Sequence, residues 1–279
     1  MTKKIYVIVV THNSGELLPA CLGYLNGAAV AVTDVIVVDC GSEDAAYVDV
    51  AADMRYRFPV RVIKTDNIGF GAGNNRGLAE LDLGGLADDD LVLFMNPDTF
   101  ISENWLSLVV DQCGGDASVG VISGKLLGFD FKERRGTGKI DSTGVFRAWY
   151  GRWYDRGQGE EDQGQYDGCE AVPAVCGALF CCRGACIKKT GEKFFDEDFF
   201  LYKEDIELSI RLRKNGWKLL YNPELIAFHC RGWQKRRKEV NFSLRLMSAK
   251  NEILLYRKHL SPYILWAGVK YGLVRFFRL

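Results

Sequence analysis

A chain of 279 residues and 31.3 kDa can bury a sizeable core, as one large domain or two small ones. With 48% hydrophobic and 26% charged residues it is neither a disordered tail, a collagen-like fibre nor a polar low-complexity protein. Its 36 bases balance 36 acids, which excludes a generic nucleic-acid binder, yet residues 231–279 hold 12 Lys or Arg against only Glu239 and Glu252 and form a separate electrostatic object.

Taken in chain order, residues 5–10 are an apolar, β-branched run, the pattern of a strand buried on both faces. A polar turn follows at 11–14, and 16–26 reads as a helix. A second strand over 35–38 ends at Asp39, with a turn and helix cap at 41–44. A third strand over 60–64 leads into a glycine-rich loop, 67–73, that opens a helix from about Asn74. A fourth strand over 91–95 ends at Asn96, Pro97 and Asp98. Strand–helix repetition at this spacing predicts a parallel sheet with right-handed crossovers. In such sheets ligands sit beyond the carboxyl ends of the strands. The polar clusters at Thr11, His12 and Asn13, at Asp39, at Asp66 and Asn67, and at Asp98 all fall there.

Beyond residue 110 the pattern loosens. Strands are expected over 119–123 and 178–181, and 128–170 shows no clear period. An acidic, aromatic stretch over 194–203 precedes a helix over 205–215 that Gly216 stops. Residues 217–221 and 226–229 read as two short strands. Residues 239–259 read as an amphipathic helix with Val240, Leu244, Met247, Leu254 and Leu255 on or near one face. No stretch approaches the ~20 apolar residues that span a bilayer, and 262–277 is interrupted by Lys270 and Arg275. The short apolar run after Lys4 argues against a signal peptide. Nine cysteines, an odd number, then point to free thiols in a reducing cytosol. Those from Cys169 to Cys186 contain no CxxC pair and suit apolar packing better than zinc.

Several residues carry two readings. Asp98 at a strand end can hold a divalent cation on a diphosphate, or complete an Asn-Pro-Asp turn. Asp39 can accept hydrogen bonds from a base or ribose, or cap a turn with Ser42. The glycines between Gly69 and Gly77 suit close approach of a nucleotide, or a flexible connection, and they are not spaced as GxGxxG. Glu204 and Asp205 can cap a helix, or supply a general base. His229 can bind a metal through neutral imidazole, or be a bonded core histidine.

The ordered segments VIVVTHNS (7–14), VIVVDCGSED (35–44), DNIGFGAGNNRG (66–77), LVLFMNPD (91–98), GALFCCR (177–183), FDEDFFLYKEDIELSIRLRKNGWKLLYNP (195–223) and FH (228–229) resemble the family 2 glycosyltransferases of the GT-A fold. The resemblance is strongest to the bacterial rhamnosyltransferase-like members that build surface polysaccharides. It covers roughly residues 5–232. It implies an α/β GT-A fold with a mostly parallel central sheet flanked by helices. The implied division is a nucleotide-binding half (1–110), an acceptor and catalytic half (111–232) and basic amphipathic C-terminal helices (233–279). By the same resemblance Thr11, His12 and Asn13 line the nucleotide and Asp39 holds its base or ribose. Asn67, Gly73, Asn74 and Arg76 border nucleotide and sugar. Asn96 and Asp98 occupy the place of the family's DxD motif, with Asp98 on Mg2+ or Mn2+ and Asn96 replacing the first carboxylate. Glu204 and Asp205 match its ED motif, with Asp205 as catalytic base. His229 matches a position that binds metal in some relatives.

The implied activity is an inverting transfer from a nucleotide-diphosphate sugar, dTDP-rhamnose first and UDP-hexoses second. The acceptor is a hydroxyl of a glycan or polyprenyl-diphosphate-linked sugar, met in the cytoplasm at the inner face of the cell membrane. A nucleotidyltransferase is the competing enzyme class, but it wants a basic loop after the first strand, and Thr11 to Gly15 holds no Lys or Arg. The third class is a non-catalytic membrane or nucleic-acid adaptor led by the tail. Arg231, Lys235, Arg236, Arg237 and Lys238 cluster beside Trp233, with Tyr256, Trp266, Tyr271, Phe276 and Phe277 downstream, a mixture suited to an anionic membrane surface. Packing of these helices on the domain, or a homo-oligomer, is the alternative use of the same residues.

Overall fold

A computed structural model describes residues 3–113, 115–191, 193–230 and 241–278. The first half alternates as expected: β1 (Ile5–Thr11), α1 (Leu17–Asn26), β2 (Asp34–Cys40), α2 (Ala46–Asp53), β3 (Val60–Thr65), α3 (Phe70–Leu78) and β4 (Leu91–Met95). β1 runs parallel to both β2 and β4, and β2 parallel to β3. The unbroken apolar runs follow from this placement. Ile5, Val7 and Val9 join one buried layer with Leu18 and Leu22 of α1, while Ile8 and Val10 join the opposite layer with Leu78 of α3. A strand covered on both faces has no water-facing side to make polar.

The second half continues with β5 (Thr99–Ile101), α4 (Trp105–Gln112), β6 (Val119–Asp130), β7 (Arg135–Ser142), β8 (Val145–Arg147), β9 (Trp153–Asp155), β10 (Glu170–Ala171) and β11 (Leu179–Arg183). It ends with α5 (Gly184–Thr190), α6 (Glu204–Lys214), β12 (Lys218–His229), α7 (Phe242–Lys258) and α8 (Ile264–Phe277). The main sheet runs β10-β12-β6-β11-β4-β1-β2-β3, with β5 on β12 and β7 on β6. β11 is antiparallel to both β4 and β6, so the sheet is parallel in its first half and mixed in its second. Cys181 and Cys182 are neighbours on β11 and therefore enter opposite core layers.

Four expectations are corrected. The glycine-rich segment is not a loop up to Gly73, because α3 already begins at Phe70. Gly73 and Gly77 lie one turn apart against the sheet. A Cβ would stand 2.8 Å from Cys40 Sγ at Gly73 and 2.6 Å from Ile8 Cγ2 at Gly77, so their bareness lets the helix lie close on β1 and β2. The two short strands near the C-terminal end of the motif region are one strand, β12, with an irregularity between Asn222 and Ile226. The stretch without period contains β7, β8, β9 and β10, which are short or largely exposed and so lack apolar alternation. Finally, α7 does not bury the anticipated apolar stripe. Leu244, Met247 and Leu254 are only partly buried, whereas Asn251 and Glu252 are fully enclosed beside Leu255 and Tyr256. This helix packs against α8 and turns Asn251 onto the backbone carbonyls of Leu201 and Tyr202, and Glu252 takes Lys270 of α8 as its partner. Leu255, Tyr256 and Ala267 belong to the same buried cluster as β1 and α1, so α7 and α8 pack on the domain. Val240 and the basic cluster Arg231, Lys235, Arg236, Arg237 and Lys238 with Trp233 lie outside the described residues. Among the described residues no helix is long and apolar enough to cross a membrane.

Candidate active site

The carboxyl ends of β1 and β4 and the start of α3 enclose a cavity of about 420 Å³. Thr11, His12, Asn13, Asn67, Asn96 and Asp98 line it, as the strand-end argument requires, together with Phe200 and Leu201. His12 bonds the Cys40 carbonyl through Nδ1 (2.8 Å) and lies 3.2 Å from the Asn13 amide through Nε2. A carbonyl only accepts, so Nδ1 carries the proton and Nε2 receives the amide hydrogen. Asn13, at φ 51°, accepts from Glu43 N through Oδ1 (2.9 Å) and ties the ends of β1 and β2 together. Gly41 (φ 69°) is needed where that end meets the next loop, since a Cβ there would be 2.7 Å from Asn67 N.

Asp39 pairs in register with Thr11 but does not line the cavity, being 2% exposed. Its carboxylate accepts from Ser42 Oγ at 2.5 Å. Since Ser42 spends its hydrogen there, the Tyr47 hydroxyl donates to it (3.0 Å) and Thr11 donates to Tyr47 (2.8 Å), a directed chain of hydroxyls ending on the carboxylate. Gly73, Asn74 and Arg76 are likewise not brought to the cavity. Asn74 is buried with its amide on Phe70 O, and Arg76 pairs with Glu80 on the surface. Tyr47 was not legible in the sequence; a Tyr five residues after a turn serine carries no distinctive pattern.

Antiparallel pairing of β12 with β5 sets His229 opposite Thr99 and so beside Asp98. His229 Nε2 lies 3.3 Å from Asp98 Oδ1, and Nδ1 lies 2.7 Å from Oδ2 of the fully buried Asp141. Burial opposes charge on the imidazole, but the bonds to Asp141 and Asp98 outweigh it and push its pKa up to about 9. A carboxylate behind one ring nitrogen and a second carboxylate in front of the other is the donor chemistry of an oriented metal-ligating histidine, so the residues present fit a divalent cation. Among the described residues no group of three or more His, Cys, Asp or Glu could hold an ion alone. Water and phosphate oxygens would complete the shell, as Mg2+ and Mn2+ commonly accept. Asp141 escaped the sequence reading because it lies in the stretch without period.

Glu204 and Asp205 begin α6 and do not line the cavity, yet two links tie them to it. Leu201, three residues before Glu204, is in the wall. Asp205 Oδ2 accepts from Gly177 N (3.0 Å), and the next carbonyl, Ala178 O, accepts from Asn96 N (2.9 Å). Burial raises both carboxyls, and the Asp205 charge raises Glu204 further. Gly177 N and Ile206 N both donate to Asp205 and favour its ionised form, whereas Glu204 Oε2 is enclosed with no partner among the described residues. The pair therefore holds one proton near neutrality, on Glu204, and leaves the charge on Asp205.

This has a consequence for stability. Glu204 binds its proton more tightly folded than unfolded, so the stability it confers is complete below its ordinary value of 4.5 and is lost as pH rises through about 8. In urea melts, Glu204→Gln should flatten that alkaline loss and be the more stable protein above pH ~8, by about 1–3 kcal/mol. Superimposable pH profiles for the two proteins would place the proton elsewhere.

The fold, a mixed sheet with helices on both faces, recurs in solved structures of low identity. GalNAc-T7 with UDP, GalNAc and Mn2+ matches with a TM-score of 0.62 at 14% identity, over 91% of this chain and 48% of that one. The mannosyltransferase PcManGT from Pyrobaculum calidifontis, in complex with GDP-Man and Mn2+, matches at 0.61 and 17% identity, over 98% and 71%. These likenesses place the fold in the GT-A class. The family model described as "Glycosyltransferase like family 2" matches residues 3–250, and the chain belongs to that family of sugar-transferring enzymes. A curated relative from Mycobacterium tuberculosis, N-acetylglucosaminyl-diphospho-decaprenol L-rhamnosyltransferase, is 28% identical over 242 residues, covering 82% of this chain and 76% of its own. The O-antigen chain rhamnosyltransferase RfbN of Salmonella typhimurium is 28% identical over 101 residues, 36% of this chain and 30% of its own.

Proposed function

We propose that this enzyme moves L-rhamnose, with inversion, from a nucleoside-diphosphate donor to a hydroxyl of a lipid-linked or glycan acceptor in surface polysaccharide synthesis. The observation that carries the reading is Asp98 in the cavity wall with His229 buried behind it, while the backbone of Gly177 and Ala178 links Asp205 to Asn96 in the same wall. The two relatives named as rhamnosyltransferases favour rhamnose over a UDP-hexose, and the decaprenol-linked acceptor in one name favours a lipid diphosphate. Asp205 takes the proton of the acceptor hydroxyl as its oxygen bonds to C1 of the sugar. The C1–O bond to the β-phosphate breaks, and the nucleoside diphosphate leaves with the electron pair. Glu204, protonated, keeps a second negative charge away from Asp205. Thr11, His12, Asn13 and Asn67 seat the nucleotide, and Asn96 borders the diphosphate. Mg2+ or Mn2+ held by Asp98 and His229 would neutralise charge on the leaving diphosphate.

Calorimetric titration with dTDP-rhamnose, UDP-glucose and UDP-galactose, each with and without Mn2+, tests this. Metal-dependent binding of dTDP-rhamnose alone is the expected result. Preference for a UDP-hexose would overturn the donor, and affinity for none of them would overturn the class of donor.

The same reading includes an anionic membrane surface on the cytoplasmic side, where a lipid-linked acceptor is met. In support, α8 buries Ala267 and Val274 but leaves Leu265 78%, Val269 55% and Phe276 78% exposed, and Trp149 nearby is 86% exposed. Tyr150 bridges Trp149 to Trp266 of α8 by ring contacts. An apolar outer stripe in the basic segment that carries 12 Lys or Arg matches lipid tails under acidic headgroups. The double variant Leu265→Ser with Phe276→Ser should sediment with phosphatidylglycerol vesicles at least about tenfold more weakly than the native protein. Equal sedimentation, or a concentration-dependent dimer that the variant abolishes, would remove the membrane and assign the stripe to a second copy.

A further inference from the structure

The turn that leads into Glu204 and Asp205 does not hold itself. It passes through Tyr202 at φ 73° and Lys203 at φ 76°, two consecutive side-chain-bearing residues in the left-handed region. Each costs about 1–2 kcal/mol relative to ordinary backbone, so the surrounding structure must impose this course. One restraint comes from α3: Phe70 N donates to Phe200 O at 2.9 Å, and Gly69 is so close that a Cβ would stand 2.4 Å from that oxygen.

The other restraint comes from α7, outside the strand–helix body. The buried Asn251 turns its amide onto two consecutive carbonyls of the turn, Leu201 O at 2.9 Å and Tyr202 O at 3.0 Å. An amide NH2 has two hydrogens, and both are used. From the end of the same helix, Lys258 pairs with Asp196 (2.7 Å) and Asp198 (2.5 Å), just upstream of the turn. The turn whose wall residues are Phe200 and Leu201 is thus gripped by α3 on one side and by α7 on the other.

We propose that Asn251 is a positioning residue for sugar transfer: its two hydrogen bonds hold the left-handed course of Tyr202 and Lys203, and so fix where α6 begins and where Asp205 stands relative to the donor cavity. The C-terminal helix α7 is then a working part of the active site and not an appendage to it. This rests on Asp205 acting as the base.

Asn251→Asp keeps the shape of the side chain but turns an acceptor onto carbonyls that only accept. In the full chain it should lower kcat by about 10–100-fold, the cost of a base displaced by about 1 Å, while the donor Kd by calorimetry moves less than about twofold. Lys258→Ala, at a partly exposed position that folding tolerates, should lower kcat by about two- to fivefold with the same unchanged Kd. Leu255→Ala is the control: it opens the core beneath the same helix and removes no hydrogen bond to the turn, and at a temperature where it is fully folded its kcat should stay within about twofold of native. Native kcat in both Asn251→Asp and Lys258→Ala overturns the proposal. So does loss of donor binding in step with kcat, or an equal loss in Leu255→Ala, since either marks a merely structural contact. Near-native turnover by Asp205→Asn would remove the base reading itself, whereas an inert Asp205→Asn beside a fully active Asn251→Asp removes only the role given to Asn251.

Discussion

Replacing Asp205 by Asn should lower turnover by about 10²–10⁴-fold and leave donor affinity within about twofold. The substitution keeps the side chain's size and one acceptor oxygen for Gly177 N, so the contact that anchors Asp205 survives. What is lost is the ability to take a proton. Burial raises Asp205, which makes it a stronger base than an exposed carboxylate, while the two backbone N–H groups keep it ionised. In the proposed single displacement the protein supplies no nucleophile, so the proton transfer is the step that Asp205→Asn removes. Steady-state kinetics beside calorimetry separates the outcomes. A fall in kcat with constant Kd supports the base, and a fall in affinity of the same size would make Asp205 a binding residue.

Asp98→Ala should weaken metal-dependent donor binding by more than about tenfold and lower kcat with it. It removes the carboxylate that faces His229 Nε2 from the cavity wall. A smaller change of the same kind is expected for Asp141→Asn, about 10–100-fold in metal affinity, because Asp141 orients the imidazole through Nδ1 without touching the cavity. Titrating Mn2+ at fixed donor measures both. Unchanged metal dependence in Asp98→Ala would remove the assignment of the metal to this wall, and with it the leaving-group part of the reading.

Much of the fold and half of the candidate site follow from local pattern. The apolar runs ending at Thr11, Asp39 and Met95 are strands because both their faces are covered, and parallel strands put their carboxyl ends together without any further information. Thr11, His12, Asn13, Asn67 and Asp98 were therefore legible as one cluster from chain order, although the same argument also gathered Asp39 and Asp66, which do not line the cavity. The tail's polarity was legible as composition, but its packing was not: Leu244 and Met247 look like a core stripe, yet the helix encloses Asn251 and Glu252.

Other features were decided only when distant segments met. Gly73 and Gly77 read as loop residues until α3 lies on β1 and the missing Cβ atoms account for the close approach. His229 meets Asp98 only because β12 pairs with β5, and its ring is fixed because Asp141, 88 positions away, closes on its other nitrogen. Asn251 acquires a role only through carbonyls about 50 positions upstream. The physical reason is the range of each signal. Hydrophobic period and turn chemistry act over a few neighbouring residues and so are written in the chain. Hydrogen bonds between a side chain and a remote backbone group depend on which surfaces the folded core brings into contact, and that is settled by packing.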